Sequence, residues 1–404
     1  GFGATGVKGD FRMGVAEDRI SELYDPLIHH IFSFLPIQCV IATSVLSKRW
    51  KDIWISAPVI NIRKWRREVK IDNEKRMLEV VRCEETDGLG NSLDRMLLFP
   101  TFGVPNDIMP TIKKFHLKFR AFDEHENTRL FNNDRICGWI FTLIMRKVEE
   151  LSLRLVKNFL LPPCLFTSET LTMLEIEMAG DLSTKIKKTG TLGFPQAISF
   201  PKLKILHLKH MKVLQISVAS LKRLFITNSK KFSFKIKIYS PNLQSLTYIG
   251  IPRDYIMMDH SFSSLVGADI NIAVEFLSLR SKGRQAYQCG LKNLLGGISN
   301  AKLLKISDST LESLLCEGLF TSQSPTSHNY TFHNLRRLEV SSKMSCVAIT
   351  VLVYLLSALP NLESIVLQKM TGISGKELSG GVFPYSIKWM TLGGESCQSV
   401  CCYS

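Results

Sequence analysis

The sequence predicts an α/β protein in which a short unit of three helices precedes an irregular solenoid of repeats that builds a parallel β-sheet. Two observations lead to this fold class. Apolar residues recur at helical spacing within residues 18–58, and a six-residue apolar pattern recurs from Ile112 onward. Of the 404 residues, 45% are apolar and 22% are charged, which is an ordinary balance for a folded protein. Wholesale disorder is therefore excluded.

The helical unit is divided by residues that start and stop helices. Pro36 suits the start of the second helix, Ser47 can cap the third, and Pro58 ends it. A unit of roughly 40 residues buries too little surface to be stable alone, so we expect it to pack against the rest of the chain. The three helices are predicted at residues 23–35, 37–45 and 50–54.

The repeated pattern is Φ-x-x-Φ-x-Φ, where Φ is apolar, and its last positions lie 18 to 36 residues apart. Such a pattern is typical of a leucine-rich solenoid, in which each copy contributes one short parallel strand. Alternation along a strand places the fourth and sixth residues of each copy in the core and the third, fifth and seventh on the solvent face. Ten copies start at Ile112, Val148, Leu171, Leu203, Leu221, Leu243, Leu265, Ala301, Leu335 and Leu362, with an eleventh candidate at Ile387.

The copies are degenerate. Strict leucine-rich repeats place Asn or Cys three residues beyond the last Φ, and none of the ten copies does so. The sequence therefore predicts no asparagine ladder and an irregular solenoid. The longer intervals leave room for helices on the outer side, such as residues 347–359. We assign residues 111–370 to the solenoid and residues 59–110 to a linker and its start.

The sequence shows no motif for a metal, a cofactor or catalysis. The ten cysteines form no CxxC pair, and HExxH, GxSxG and Walker-type loops do not occur. An enzymatic activity is not expected. The longest strongly apolar stretch without a charge or Pro, residues 346–359, has 14 residues, short of the roughly 20 that a membrane span needs. The Gly-rich opening lacks the features of a secretory signal. We expect a protein of the cytoplasm or nucleus with no membrane partner.

Residues 18–58 read DRISELYDPLIHHIFSFLPIQCVIATSVLSKRWKDIWISAP and resemble the F-box of plant F-box proteins with leucine-rich repeats, of the FBD type. The runs DRIS, SFLP and ATSVLSKRW, together with Trp54, carry the resemblance. One departure is Tyr24, which stands where that family usually has Pro. FPKLKILHLKHM, FHNLRRLEV and LLSALPNLESIVLQ are similar to the repeats and C-terminal region of the same family. Residues 1–17 are expected to be disordered, and residues 371–404 diverge from the family, as a truncation or altered reading frame would produce.

The resemblance implies a substrate-recognition subunit of a Skp-cullin-F-box ubiquitin ligase. In that family the F-box binds a Skp-type adaptor, which connects it to a cullin, and the repeats bind a target protein for ubiquitination. The residues implied for the F-box core and adaptor contact are Leu23, Pro26, Leu27, Ile31, Leu35, Val40, Val45, Leu46 and Trp50.

The predicted solvent face of the strands is the candidate target-binding surface. Across ten copies it carries seven Lys or Arg and five Asp or Glu together with Met, Ile and Phe. Such a mixed face favours a protein or peptide over a phosphate backbone, which is best matched by a continuous basic stripe. The candidate target-binding residues are Lys114, His116, Lys118, Glu175, Glu177, His207, Lys209, Arg223 and Phe225.

An alternative function rests on charge. The chain has a net charge of +15, and residues 182–253 contain 14 Lys or Arg and no Asp or Glu. A nucleic-acid or polyanion-binding repeat protein would use this segment. A third alternative is a receptor in which a small anionic ligand completes the target site, although the sequence offers no ligand signature for it.

Overall fold

A computed structural model of the protein describes eighteen parts of the chain. Within these parts no helix is long and apolar enough to cross a membrane. The described residues are 22–62, 69–72, 77–80, 84–98, 111–117, 133–155, 159, 161–178, 200–210, 213–228, 235–252, 256–258, 262–272, 281–316, 332–341, 346–357, 359–368 and 386–390. Lys118 and the predicted disordered segment, residues 1–17, lie outside them.

The described elements are given in chain order. The helices are α1 Asp25–Phe32, α2 Ile37–Ala42, α3 Trp50–Ile53, α4 Glu84–Leu97, α5 Asn133–Met145, α6 Ser281–Gly297, α7 Asp308–Cys316 and α8 Cys346–Ser357. The strands are β1 Val59–Ile62, β2 Val69–Asp72, β3 Met77–Val80, β4 Lys114–Leu117, β5 Glu150–Leu155, β6 Met173–Met178, β7 Ile205–Lys209, β8 Val213–Ser217, β9 Arg223–Thr227, β10 Lys235–Tyr239, β11 Ser245–Gly250, β12 Ile256–Met258, β13 Gly267–Ile272, β14 Leu303–Ser307, β15 Arg337–Ser341, β16 Ser364–Gln368 and β17 Ser386–Met390.

Twelve strands form one sheet in the order β1-β4-β5-β6-β7-β9-β11-β13-β14-β15-β16-β17. Every neighbouring pair is parallel, and each strand is followed in the sheet by the next copy of the pattern. This confirms an α/β fold with a many-stranded parallel sheet. The copy predicted at Ile387 has the wrong phase, because Ile387 pairs with Ile365, a fourth-position residue.

The outer side differs from the prediction in the middle of the sheet. Helices follow β4, β13, β14 and β15, and α8 lies close to the helix predicted at residues 347–359. Between β7 and β13, however, the connections contain β8, β10 and β12, which form a second parallel sheet of three strands. The last Φ positions there are only 18, 22 and 22 residues apart. Each connection therefore has few residues for its two turns and for the element between them. An extended strand of so few residues spans the distance between the turns, whereas a helix of the same number of residues would be too short.

The alternation of the pattern fixes the core. Strands β7 and β9 alternate between buried fourth and sixth residues and more exposed third, fifth and seventh residues. The fourth-position row of the described side chains, from Phe115 to Ile365, is buried throughout, and so is the sixth-position row from Leu117 to Leu367. The buried side chains of all copies belong to one continuous apolar cluster, which also includes the N-terminal helices. Because one copy cannot enclose its own apolar face, stacking of the copies is what removes these residues from water.

A ladder of polar side chains joins the turns that precede the strands. In several copies the residue before the first Φ donates a side-chain hydrogen bond to a carbonyl of the preceding copy. The sequence predicts no asparagine ladder beyond the strands, but two asparagines serve this purpose at the opposite end, where the main chain turns and its carbonyls need donors. The bonds join Thr170 to Val148, Asn242 to Ala219 and Asn361 to His333, at 2.9, 2.9 and 2.6 Å.

The register can be tested with two neighbouring substitutions in β11. Leu246 is fully buried and Thr247 lies on the opposite face. Leu246→Asp should lower the free energy of unfolding by at least about 3 kcal/mol, because it places an unpaired charge in the core. Thr247→Asp introduces the same charged side chain at the next position of the same strand and should cost much less. Chemical denaturation followed by circular dichroism measures both, and equal effects would contradict the register.

A second test concerns the contact between α6 and the segment after β11. A Cβ atom added to Gly290 would lie 2.3 Å from the carbonyl oxygen of Pro252, whereas one added to Gly138 in α5 would meet only Leu98 Cδ2 at 3.5 Å. Gly290→Ala should therefore lower the free energy of unfolding by about 1 to 3 kcal/mol. Gly138→Ala should leave it unchanged or raise it by up to about 1 kcal/mol through helix propensity. Thermal unfolding distinguishes them, and stabilisation by both would show that α6 stands further from Pro252.

Candidate interaction surfaces

The N-terminal helices have an apolar interior that continues into the sheet. Phe32 of α1 packs edge-on against Trp50 of α3, with ring centroids 5.7 Å apart. The turn after α3 is tied to α1, because His29 Nε2 lies 2.8 Å from Ser56 Oγ. Lys113 donates its backbone N–H to the Pro58 carbonyl at 2.8 Å, which joins the end of the helical unit to the start of β4. The unit thus packs against the first strands, as its small size requires.

A group of large apolar side chains on this unit remains in water. Val45 is 85% exposed, Phe34 74% and Leu46 54%, and Tyr24 and Ile31 are also exposed. Together they make up five of the twelve exposed large apolar side chains among the described residues, within only 23 positions of the chain. Apolar residues concentrated in this way are typical of a surface that a partner covers.

The predicted adaptor residues fall into three classes. Pro26, Ile31, Val45 and Leu46 are exposed, and Leu23, Leu27 and Leu35 are half-buried. Val40 and Trp50 are buried, at 0% and 3% exposed. These two belong to the core part of the predicted set, because they fill the interior between the helices and the sheet. Their share in an adaptor contact stays a prediction.

Phe34 was missed by the sequence prediction. It lies in the turn between α1 and α2, outside the helical spacing that selected the other residues. Its ring packs edge-on against His30, with centroids 5.0 Å apart. An aromatic residue two positions before a helix-starting Pro is the signal in the sequence that could have identified it.

The solvent face of the sheet is a network of ion pairs between neighbouring strands. Lys114 pairs with Glu150 at 2.9 Å, and Arg154 with Glu177 at 3.4 Å. Because parallel strands keep the third, fifth and seventh residues in register, side chains of adjacent copies meet in rows. The charged residues predicted to bind a target therefore largely neutralise each other within the solvent face of the sheet.

Two residues expected on that face are almost completely buried. His116 is 6% exposed and Glu175 is 5% exposed. The Glu175 carboxylate accepts a hydrogen bond from Ser152 Oγ at 2.8 Å on one side and pairs with Lys209 Nζ at 2.8 Å on the other. The prediction that His116 and Glu175 are exposed is wrong, because register packing with the adjacent strands removes these side chains from water.

The middle of the face is less polar. The ring of His207 on β7 packs against that of Phe225 on β9, with centroids 4.1 Å apart and the ring planes tilted by 53°. Arg223, two residues before Phe225, is exposed.

Within the described residues, no group of three His, Cys, Asp or Glu side chains is arranged to hold a metal ion.

His210 follows β7 with an unusual backbone. Its φ is 60°, and its N–H donates to the Thr227 carbonyl at 2.8 Å. Burial lowers the pKa of His210 from its ordinary value of 6.5; Glu177 opposes this shift, and Arg154 and Lys209 add to it. Its Nδ1 atom is buried and makes no hydrogen bond. The folded protein therefore favours the neutral imidazole.

This shift predicts a pH dependence of stability. A depressed histidine pKa contributes stability that is fully present above pH 6.5 and is lost as the pH falls through that value toward the lower folded pKa. His210→Asn, which tolerates positive φ, should reduce the loss of unfolding free energy between about pH 7.5 and pH 5.5. Denaturation curves of the wild type and the variant at several pH values measure this, and an identical pH dependence of the two proteins would contradict it.

Comparisons with known proteins found similarity both to a domain family and to plant proteins over most of the chain. Residues 20–60 match the model of the F-box domain. The chain is 26% identical over 406 residues to an F-box/LRR-repeat protein of Arabidopsis thaliana, covering 88% of this chain and 70% of the relative. An F-box/FBD/LRR-repeat protein of the same plant is 23% identical over 397 residues, with 87% and 78% covered. An FBD-associated F-box protein, also from Arabidopsis thaliana, is 26% identical over 375 residues, with 88% and 78% covered.

Proposed function

Because the chain carries an F-box domain and is similar over most of its length to plant F-box/LRR-repeat proteins, we propose that it is a substrate-recognition subunit of a Skp-cullin-F-box ubiquitin ligase. The F-box binds a Skp-type adaptor, and the adaptor connects it to a cullin. The repeats form a leucine-rich solenoid that binds a target protein. The observation that carries this proposal is the group of exposed apolar residues on an F-box domain.

The adaptor contact is proposed for the exposed apolar residues Ile31, Phe34, Val45 and Leu46, with Pro26 beside them. They are already ordered on a unit with a continuous apolar core, so binding would cost little conformational entropy. Leu23 and Leu35 pack against that core and support this surface from below. Burying these side chains in a partner would supply the hydrophobic stabilisation that the free chain lacks there.

The sheet gives the proposed subunit its second role. The helical unit packs directly on β1, the first strand of the twelve-stranded sheet. A target held on the sheet would therefore keep a defined position relative to the adaptor. The protein itself catalyses no step in this proposal. It raises the effective concentration of target lysines near the ubiquitin carrier by holding both partners in one complex.

The alternative of a polyanion-binding protein gains no support from the described basic residues of residues 182–253. Lys204, Lys222 and Arg223 lie together at the starts of β7 and β9. Lys209 is paired with Glu175 on the solvent face, and Lys237 lies on β10 in the other sheet, so these two do not extend that group. Binding of a phosphate backbone favours a continuous basic track.

A single substitution tests the adaptor contact. Val45 is the most exposed large apolar residue of the described chain, so Val45→Asp leaves the fold unchanged. It should weaken binding to a purified Skp-type adaptor at least tenfold, about 1.4 kcal/mol, because the complex would bury an unpaired charge. Titration calorimetry measures the affinity.

The matched control is Val266→Asp, which changes another half-exposed valine far along the sheet, in the turn before β13. It should bind the adaptor like the wild type. Equal affinity of the two variants would place the contact elsewhere. No binding of the wild-type chain would overturn the proposed function itself.

A further inference from the structure

One cation on the solvent face of the sheet differs from the other charged residues described there. Leaving histidines aside, the third, fifth and seventh positions of the ten copies from Ile112 to Leu362 carry eleven charged side chains among the residues that the structure describes. Ten of them form five ion pairs, and Arg223 alone of these eleven has no acidic partner. The pairs are Lys114–Glu150, Arg154–Glu177, Lys209–Glu175, Lys305–Asp269 and Arg337–Glu339, with N–O distances of 2.9, 3.4, 2.8, 3.6 and 2.7 Å.

Arg223 stands within a patch of apolar and small polar residues. In register, it lies between Ile205 of β7 and Ser245 of β11. The next row on the same three strands contains His207, Phe225 and Thr247. We call these six residues the central patch. Strand spacing makes it about 10 Å wide and about 7 Å long, a size that suits two or three residues of an extended peptide.

We propose that the central patch binds an acidic peptide segment of the target protein, with a carboxylate or phosphate group on Arg223 and an apolar side chain on the adjoining rings of His207 and Phe225. This inference rests on the proposed function and deepens it by naming the chemistry of the target. It narrows the candidate target-binding set to Arg223, His207 and Phe225. Glu177 of β6, which pairs with Arg154, and Lys209 of β7, which pairs with Glu175, flank this patch.

Charge complementarity supports an acidic partner. The other cations on the face are largely neutralised by carboxylates, whereas Arg223 is exposed and its local sequence, residues 182–253, contains no acidic residue. Lys204 and Lys222, at the second positions of the same two copies, are also exposed and add positive potential. An unpaired guanidinium forms its strongest contacts with carboxylate or phosphate oxygens, which match its fork of N–H donors.

The shape of the patch favours a peptide over a nucleic acid. A single free guanidinium beside a pair of aromatic rings provides one charged contact and one apolar contact. A phosphate backbone instead requires a series of cations at regular spacing. A peptide with an acidic residue near an aromatic or aliphatic residue satisfies both contacts at once.

The experiment uses the full chain bound to its adaptor and a displayed library of random short peptides. Selection should enrich peptides that carry Asp or Glu close to an apolar residue. The affinity of a selected peptide, measured by fluorescence anisotropy, should fall at least tenfold, or about 1.4 kcal/mol, with Arg223→Gln and with Phe225→Ala. Arg223→Lys should retain part of the affinity, because it keeps the charge and loses the fork.

The matched control is Arg337→Gln. Arg337 occupies the same third position in its own copy and is exposed, but it is paired with Glu339. This variant should bind the selected peptide like the wild type. A phosphoserine version of the same peptide distinguishes a phosphorylated target from a carboxylate-rich one, and tighter binding of either version through Arg223 agrees with the proposal.

Several results would overturn the inference. They are a selection that enriches nothing, a selection that enriches neutral or basic peptides, and equal affinity of wild-type and Arg223→Gln chains. A short single-stranded DNA that binds more tightly than the peptides and depends on Arg223 would assign the patch to nucleic acid. Adaptor binding is measured on the same samples. Its absence overturns the proposed function, whereas adaptor binding without peptide binding overturns only this inference.

Discussion

Parallel pairing of each strand with the strand of the preceding copy is the constraint on which the rest of the structure depends. Backbone hydrogen bonds join neighbouring copies at the start of each strand, as from Thr172 to Glu149 and from Gln244 to Lys222. This pairing holds the copies in register, and register aligns the buried rows into one core. The same arrangement sets the position of the N-terminal helices, because they pack on β1, the strand at the first edge of the sheet.

The same register determines the chemistry of the solvent face. Residues at the same position of neighbouring copies lie next to each other across the strands. The sign of the charge in one copy therefore determines whether the neighbouring copy offers it an ion-pair partner. On β6 this produces a buried carboxylate, Glu175, held by Ser152 of β5 and Lys209 of β7. The more exposed pairs, such as Lys114–Glu150, contribute little to stability, since solvent screens them. Their main consequence is to remove charge from the surface and leave Arg223 as the free cation among the described charges of this face.

Strands β7, β9 and β11, which carry the central patch, also end in costly local structure. The side-chain amide of Asn228 is buried without a hydrogen bond at either atom, and His210 adopts positive φ. Gly250 has a φ of 146°, and a Cβ atom there would approach the Asn228 carbonyl oxygen at 3.0 Å. Buried polar groups without partners reduce the free energy of unfolding. In the region where strands replace helices on the outer side, the strand ends therefore lower the free energy of unfolding, and the solvent face is less polar.

The sequence by itself determined the helical unit, the phase of ten strands and the buried positions, because all of these follow from local apolar periodicity. The start of α2 follows likewise from Pro36, whereas α2 ends at Ala42 and α3 at Ile53, earlier than the apolar spacing and Pro58 predict. Only the tertiary structure decided which polar residues are exposed. His116 and Glu175 share the alternation of Arg223, yet their burial depends on neighbours 23 or more residues away in sequence. The choice of strand or helix on the outer side, the burial of Val40 and Trp50 and the exposure of Phe34 are decided in the same way. Each depends on the space that neighbouring copies leave, which local periodicity does not encode.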